Sequence, residues 1–436
     1  MVTLTADVVV VGAGVIGSST ALELARAGLQ VVVVDRLNGP GQGSTSASSA
    51  VVRFNYSTFP GVAASWEAKH CWAAWPDHLR FVDQAGMARF CRTGMVFLDV
   101  DVAPKERIVP LFDRAGVAYE VWSPSVLAER VPGLDTGRFW PPKRLDDETF
   151  WAEPTERLGA LWTPDAGYVD DPMLAAVNLA NAARHAGARF VFKSQVTGIR
   201  RSGGRVAGVD LADGERVDAP IVVNVAGPWS SAFNEMAGVG DDFTITTRPM
   251  RQEVHFVTAP PEFDHDDQPG PVIADLDLGT YMRGAPDNGF YVGGTEPECD
   301  QMQWLDDPDQ AGLDPTKALF EAQVTRAARR FGDLGVPPRP RGIAGVYDVA
   351  TDWSPIYDRT SLDGFYVAIG TSGNQFKNAP VAGRFMAQII TAVENGHDHD
   401  AHPVRYQGEH TGLTVDLGAF SRRRPVNPDS SGTVMG

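Results

Sequence analysis

The chain has 436 residues, with 38 Lys and Arg against 55 Asp and Glu, a formal charge of −17. At 43% hydrophobic and 21% charged it lies in the ordinary globular range, which excludes a disordered, collagenous or low-complexity polymer. So large a deficit of basic charge repels polyanions, so neither nucleic acid nor an anionic membrane surface is expected as a partner.

Near the N-terminus Asp7 leads into Val8 to Val11, a β-branched run without polar alternation, the pattern of a strand covered on both faces. It runs into Gly12-Ala13-Gly14-Val15-Ile16-Gly17, followed by helical spacing through Ala27, a closing Gly28 and a second apolar strand, Val31 to Val34, ending at Asp35. This is a βαβ unit carrying a dinucleotide fingerprint in its required context. Gly12 allows the turn, Gly14 lets backbone approach a pyrophosphate, Gly17 lets the helix pack closely, and Asp35 is placed to accept from a ribose hydroxyl, which disfavours NADP.

Further along, Met173 to Ala186 read as an amphipathic helix and Arg189 to Phe192 as a strand. Gln195 to Val222 hold three strand-like runs separated by Gly203-Gly204 and Asp213-Gly214, turn chemistry for a meander. Ala219 to Val225 form another apolar strand closed by Ala226-Gly227-Pro228. Gly364 to Ile369 form a late strand entering Gly370-Thr371-Ser372-Gly373, and Ala379 to Glu394 a helix with Pro380 in its first turn. Between these blocks the chain is richer in Pro, Asp and aromatics, which points to a discontinuous nucleotide-binding domain with a second domain inserted twice. The expected division is 1–81, 155–235 and 341–398 for the first, 82–154 and 236–340 for the second, and a partly mobile extension from 399 to 436. Arg422-Arg423-Arg424 beside Pro425 read as part of a solvated tail.

Cys71, Cys91 and Cys299 are too scattered for a disulfide framework or a zinc site, which suits a reducing, cytoplasmic setting. No metal site is expected. His397, His399 and His402, among Asp398 and Asp400, read as a solvated loop with metal binding as the lesser alternative. No apolar run is long enough to span a bilayer.

A fingerprint alone does not separate FAD from NAD. The combination of that fingerprint, Gly43-Ser44-Thr45-Ser46 followed by Val51-Val52-Arg53, then Val223-Asn224-Val225-Ala226-Gly227 and Gly370-Thr371-Ser372-Gly373-Asn374-Gln375-Phe376-Lys377 resembles the D-amino acid oxidase family of FAD enzymes, on its sarcosine-oxidase and glycine-oxidase side, over roughly residues 6–395. The resemblance implies an α/β fold: a Rossmann-like FAD-binding domain of the glutathione-reductase type with an inserted α+β substrate domain. It implies that Gly12, Gly14, Val15, Ile16, Gly17 and Asp35 hold the ADP half of FAD, that Arg36, Ser44, Thr45 and Ser46 lie beside the phosphates or flavin, and that Val196 contacts adenine. Ala226, Gly227, Gly373, Asn374, Gln375, Phe376 and Lys377 complete the implied cofactor set.

Arg53 and Lys377 match positions that bind a substrate carboxylate in sarcosine-oxidase-like members, and Tyr347, Tyr281 and Arg283 match polar positions facing substrate or flavin. Gln252 and His255 are weaker candidates on a strand of the second domain. The subgroup's flavin-linking cysteine is Gly345 here, so FAD is expected to be non-covalent, with Cys299 an outside candidate for a link. The strand Gly289 to Thr295 lacks the subgroup's oxygen-activating lysine, which leaves oxygen or another carrier as electron acceptor. The implied activity is hydride transfer from the carbon beside nitrogen of an amino acid, primary or N-alkylated, with hydrolysis of the imine. The alternatives are a dehydrogenase or biosynthetic oxidase acting on a larger amine, an NAD-dependent dehydrogenase, and a non-enzymatic electron-transfer flavoprotein.

Overall fold

Val8–Val11, Val31–Val34 and Ile221–Asn224 are each buried along their whole length, as unbroken apolar runs require when both faces of a parallel sheet are covered. In a computed structural model describing residues 3–261, 263, 269–285 and 288–436, they form the middle of a six-stranded sheet. Its order is Arg189–Val191, Val31–Val34, Val8–Val11, Ile221–Asn224, Phe365–Ile369 and Ile356–Arg359, all parallel but the last. Helix Val15–Arg26 packs between Pro172–His185 and Ala379–Glu394. Asp171 caps the second of these by accepting from the Leu174 amide, and Pro172 and Pro380 sit in first turns where no amide donor is needed. The strands approach the first helix through Gly17, where an added Cβ would lie 2.0 Å from the Gly12 carbonyl oxygen.

The meander is Val196–Ser202, Arg205–Leu211 and Arg216–Asp218, and Thr3–Thr5 adds a parallel edge strand. Gly203 and Gly204 both take positive φ, 60° and 86°, as a two-residue hairpin turn requires.

The chain also forms a nine-stranded, mostly antiparallel sheet. Its long strand Thr247–Thr258 pairs with Gly289–Gly294 on one part of its length and with Gly342–Ala350 on the other side. Thr280–Ala285, Val272–Asp275, Met95–Leu98, Ala160–Thr163 and Glu120–Trp122 follow in that order. Ala160–Thr163 and Gly342–Ala350 therefore lie in this sheet although the sequence division groups their residues with the nucleotide-binding unit. Hydrogen-bonded neighbours recruit them across the chain, which local composition does not register.

The last residues differ from the solvated tail expected of them. Arg422 is fully buried and meets Asp358, Asp400 and Asp242, while Arg424 meets Asp352 through two nitrogens. Buried guanidinium groups persist when carboxylates and carbonyls satisfy them, and here these come from four separate places in the sequence. Past this anchor the chain returns to the core: Asn427 donates to the Ser57 hydroxyl at 2.9 Å, and Met435 is 6% exposed. His399 is likewise buried, its Nδ1 accepting from the Val404 amide, and His397 Nε2 lies 2.6 Å from the His402 carbonyl oxygen. Among the described residues these histidines form no cluster able to hold a metal, and no helix is long and apolar enough to cross a membrane.

Candidate active site

The crevice begins where Val8–Val11 meets Val15–Arg26. Gly12 takes φ +114° and an added Cβ there would meet the Val225 carbonyl oxygen at 2.4 Å, so the turn is closed to any larger residue. Asp35 braces it from the neighbouring strand, accepting from the Ala13 amide at 2.7 Å and from the Leu37 amide at 2.8 Å. Thr45 Oγ1 accepts from the Val15 amide at 3.1 Å. The amides of Gly14 and Ile16 have no acceptor among the described residues, leaving donors at a helix N-terminus for an anion.

A long cavity runs from this turn, lined by Gly12, Gly14, Val15, Ile16, Gly17, Asp35, Arg36, Ser44, Thr45, Val196, Ala226 and Gly227, to Tyr281, Tyr347, Gly373, Gln375 and Phe376. A second cavity opens off its far end. Ser48, Ser49, Tyr281, Tyr347, Gly373 and Phe376 line both, and Arg53, Asn374 and Lys377 line the second. Most of the sequence candidates thus fall along one continuous channel, from Val196 at one end to a basic end at Arg53 and Lys377.

Other candidates sit away from the channel or at its rim. Ser46 turns its hydroxyl to the Gly43 carbonyl and lines neither cavity. Arg283 donates to the Ser49 and Gly284 carbonyls and lies over the Tyr168 ring, bracing the Ser48-Ser49 wall from behind. Arg36, on the rim, is engaged by Asp309 and stacks 4.0 Å from the Trp229 ring. Cys299 lines neither cavity and packs against the Arg326 guanidinium. On the strand Thr247–Thr258 the period of two separates the weaker pair: Gln252 faces the cavity, whereas His255 faces the opposite side, against Glu253 and Phe320. Burial pushes that histidine down to about 4, so it is neutral at neutral pH.

The basic end is unusual in how little balances it. Arg53 and Lys377 are 5% and 2% exposed, and neither has a carboxylate within ion-pair distance among the described residues. Arg53 donates to the Asn55 and Val434 carbonyls, and Lys377 donates to the Asn374 carbonyl at 2.6 Å. The Tyr56 ring lies 5.0 Å from each cation, and its hydroxyl donates to the same Asn374 carbonyl at 2.9 Å. Burial, with Arg53 adding repulsion, drives the Lys377 amine well below the usual lysine range, and burial also lowers Arg53. A desolvated guanidinium beside an amine that an arriving anion would protonate forms a receptor for that anion.

Sequence reasoning missed Tyr56, Glu296 and the Val434-Met435 pair. Tyr56 was within reach as the third residue after Arg53. Glu296, 6% exposed, accepts from Gln252 Nε2 at 2.9 Å and from the Val434 amide at 2.7 Å, and burial pushes its carboxyl up to about 8. Gly345, in place of a linking cysteine, lies so close to Ala47 that an added Cβ would stand 2.7 Å from the Ala47 Cβ.

A glycine-lined turn with free amides, an acidic residue beside it and a channel ending in a chamber that holds a buried basic pair define a dinucleotide-binding oxidoreductase. The chain belongs to the DAO family of FAD dependent oxidoreductases, whose model matches residues 7–389. It is 26% identical to the sarcosine oxidase subunit beta of Rhodobacter capsulatus, over 88% of this chain and 84% of that protein. It is 25% identical to the FAD-dependent oxidoreductase domain-containing protein 1 of Bos taurus, over 88% and 81%. In fold it resembles the L-proline dehydrogenase of P. horikoshii, with a TM-score of 0.75 at 22% identity over 97% of this chain and 98% of that one. The glycine oxidase of Geobacillus kaustophilus gives a TM-score of 0.70 at 20% identity, over 91% and 98%. The protein is an FAD-dependent enzyme, and the free amides at Gly14 and Ile16 with the Gly12 turn fit a pyrophosphate.

Proposed function

We propose that the protein oxidises the C–N bond of a small amino acid, primary or N-alkylated, with FAD held non-covalently. The observation that carries this reading is the pair Arg53 and Lys377, buried at the end of the cofactor channel with no carboxylate within ion-pair distance among the described residues. A substrate carboxylate supplies the missing charge, and both cations fix its orientation. Gly12, Gly14, Asp35, Thr45 and Val196 hold the dinucleotide half, while Gly373, Gln375 and Phe376 border the wider end. Bound FAD supplies the acceptor for the hydride equivalent. Tyr281 and Tyr347 form the wall between the two cavities and, with Met95, Val272 and Ala274, keep the chamber apolar and short of water. The amine must be neutral for its lone pair to assist departure of the hydride, so the rate rises with pH to a plateau. The imine product hydrolyses in water.

The test is an anaerobic screen of amino acids and N-methylamino acids against the yellow holoenzyme. Bleaching by compounds bearing both groups, and none by the matching amines without a carboxylate, is the expected pattern. Equal bleaching by both series would remove the carboxylate reading. Admitting air then sorts oxidase from dehydrogenase; slow recovery of colour is expected, because Gly289–Gly294 carries no lysine.

A further inference from the structure

Val434 bridges Arg53, which lines the chamber, and Glu296, which lies behind its lining, through its own main chain. Its carbonyl accepts from Arg53 Nη2 at 2.6 Å and its amide donates to Glu296 Oε2 at 2.7 Å. A residue's N–H and C=O flank one α-carbon, as the nitrogen and carboxylate of a free α-amino acid do. Val434 and Met435 line the chamber beside Lys377 and Tyr347, so this segment is part of its wall, with the Val434 main chain already on the Arg53 guanidinium. Glu296 is held in place by Gln252 and by a left-handed backbone, φ +49°, a conformation a glutamate adopts only when its surroundings enforce it.

We propose that Arg53 and Glu296 are the two poles of an amino-acid site, the guanidinium taking the substrate carboxylate and the Glu296 carboxyl hydrogen-bonding the amino nitrogen, and that residues 431–436 are an internal occupant displaced by substrate. This rests on the carboxylate reading above. Glu296 is then a specificity-determining residue that selects amino acids from simple carboxylic acids. The segment is able to leave because the chain is anchored separately upstream, at Arg422 and Arg424.

The experiment uses the FAD-loaded enzyme and two probes differing only in the amine: 2-aminoisobutyrate, whose α-carbon has no hydrogen to lose, and isobutyrate. Hydrogen exchange of peptides covering 431–436 is expected to accelerate when 2-aminoisobutyrate is saturating. Deleting 431–436 is expected to lower its Kd about tenfold or more, the factor by which an occupied site hides intrinsic affinity. Glu296→Gln is expected to weaken 2-aminoisobutyrate about tenfold while isobutyrate stays within about twofold. Exchange that is unchanged or slowed, or a deletion that weakens binding, would make the segment a lid and overturn the displacement. Equal weakening of both probes by Glu296→Gln would overturn the amine pole. If neither probe binds the full or the shortened chain, the carboxylate reading falls together with this one; binding with the segment unmoved defeats the displacement alone.

Discussion

Arg330 and Arg53 are both buried arginines, and their surroundings are opposite. Arg330, wholly enclosed, is held by Asp275 and Asp277 at 2.7 and 2.8 Å and by the Asp135 and Gly137 carbonyls. Arg422 is as well served at the base of the terminal segment. Arg53 and Lys377 meet carbonyl oxygens and an aromatic ring. Where charge serves architecture, the chain supplies its counter-charge; in the proposed reading of the chamber, the counter-charge comes with the ligand. Desolvation cost is left standing at the chamber and offset elsewhere.

The comparison is most sharply broken by substituting an arginine of each kind. Arg330→Met strands two buried carboxylates and is expected to lower stability by about 3–5 kcal/mol in a denaturant titration. A loss as large for Arg53→Met would erase the distinction. Arg53→Met is expected instead to keep the melting temperature while lowering kcat/KM for an amino acid about a hundredfold, since a carboxylate held at one point loses its alignment.

Lys377 sharpens it further. Its amine lies well below the ordinary lysine value because of burial and Arg53, and an arriving carboxylate favours the charged form. Binding of isobutyrate is therefore expected to take up protons, read by calorimetry in buffers of different ionisation enthalpy, and Lys377→Met is expected to abolish that uptake. The smallest effect concerns Glu296. Its carboxyl is raised from 4.5 to about 8 by burial, so between those values the folded enzyme retains a proton that the unfolded chain has released. Stability falls as pH rises through that window, and Glu296→Gln is expected to flatten the slope.

The elements of the nucleotide-binding unit were legible because their causes are local. Val8–Val11 and Phe365–Ile369 are buried on both faces, so they read as continuous apolar runs, and Ala379–Glu394 carries its helical period and its proline at the start. Most of the crevice was legible for the same reason, since glycines at a tight turn are dictated by that turn. Arg422 and Arg424 misled because a run of basic residues beside a proline resembles a solvated end, and the carboxylates that bury them lie far off along the chain. Glu296 follows Gly293-Gly294-Thr295 with no pattern around it, so nothing local distinguishes it from a surface acid.

The amino-acid sequence by itself determined the βαβ crevice, the family and the basic pair, because turn geometry, strand burial and motif order are written in neighbouring residues. Tertiary structure alone decided that Val434 spans Arg53, 381 positions away, and Glu296, 138 positions away. Such a meeting is produced by three segments far apart in the chain converging on one cavity, and no periodicity in the chain encodes a distance of that kind.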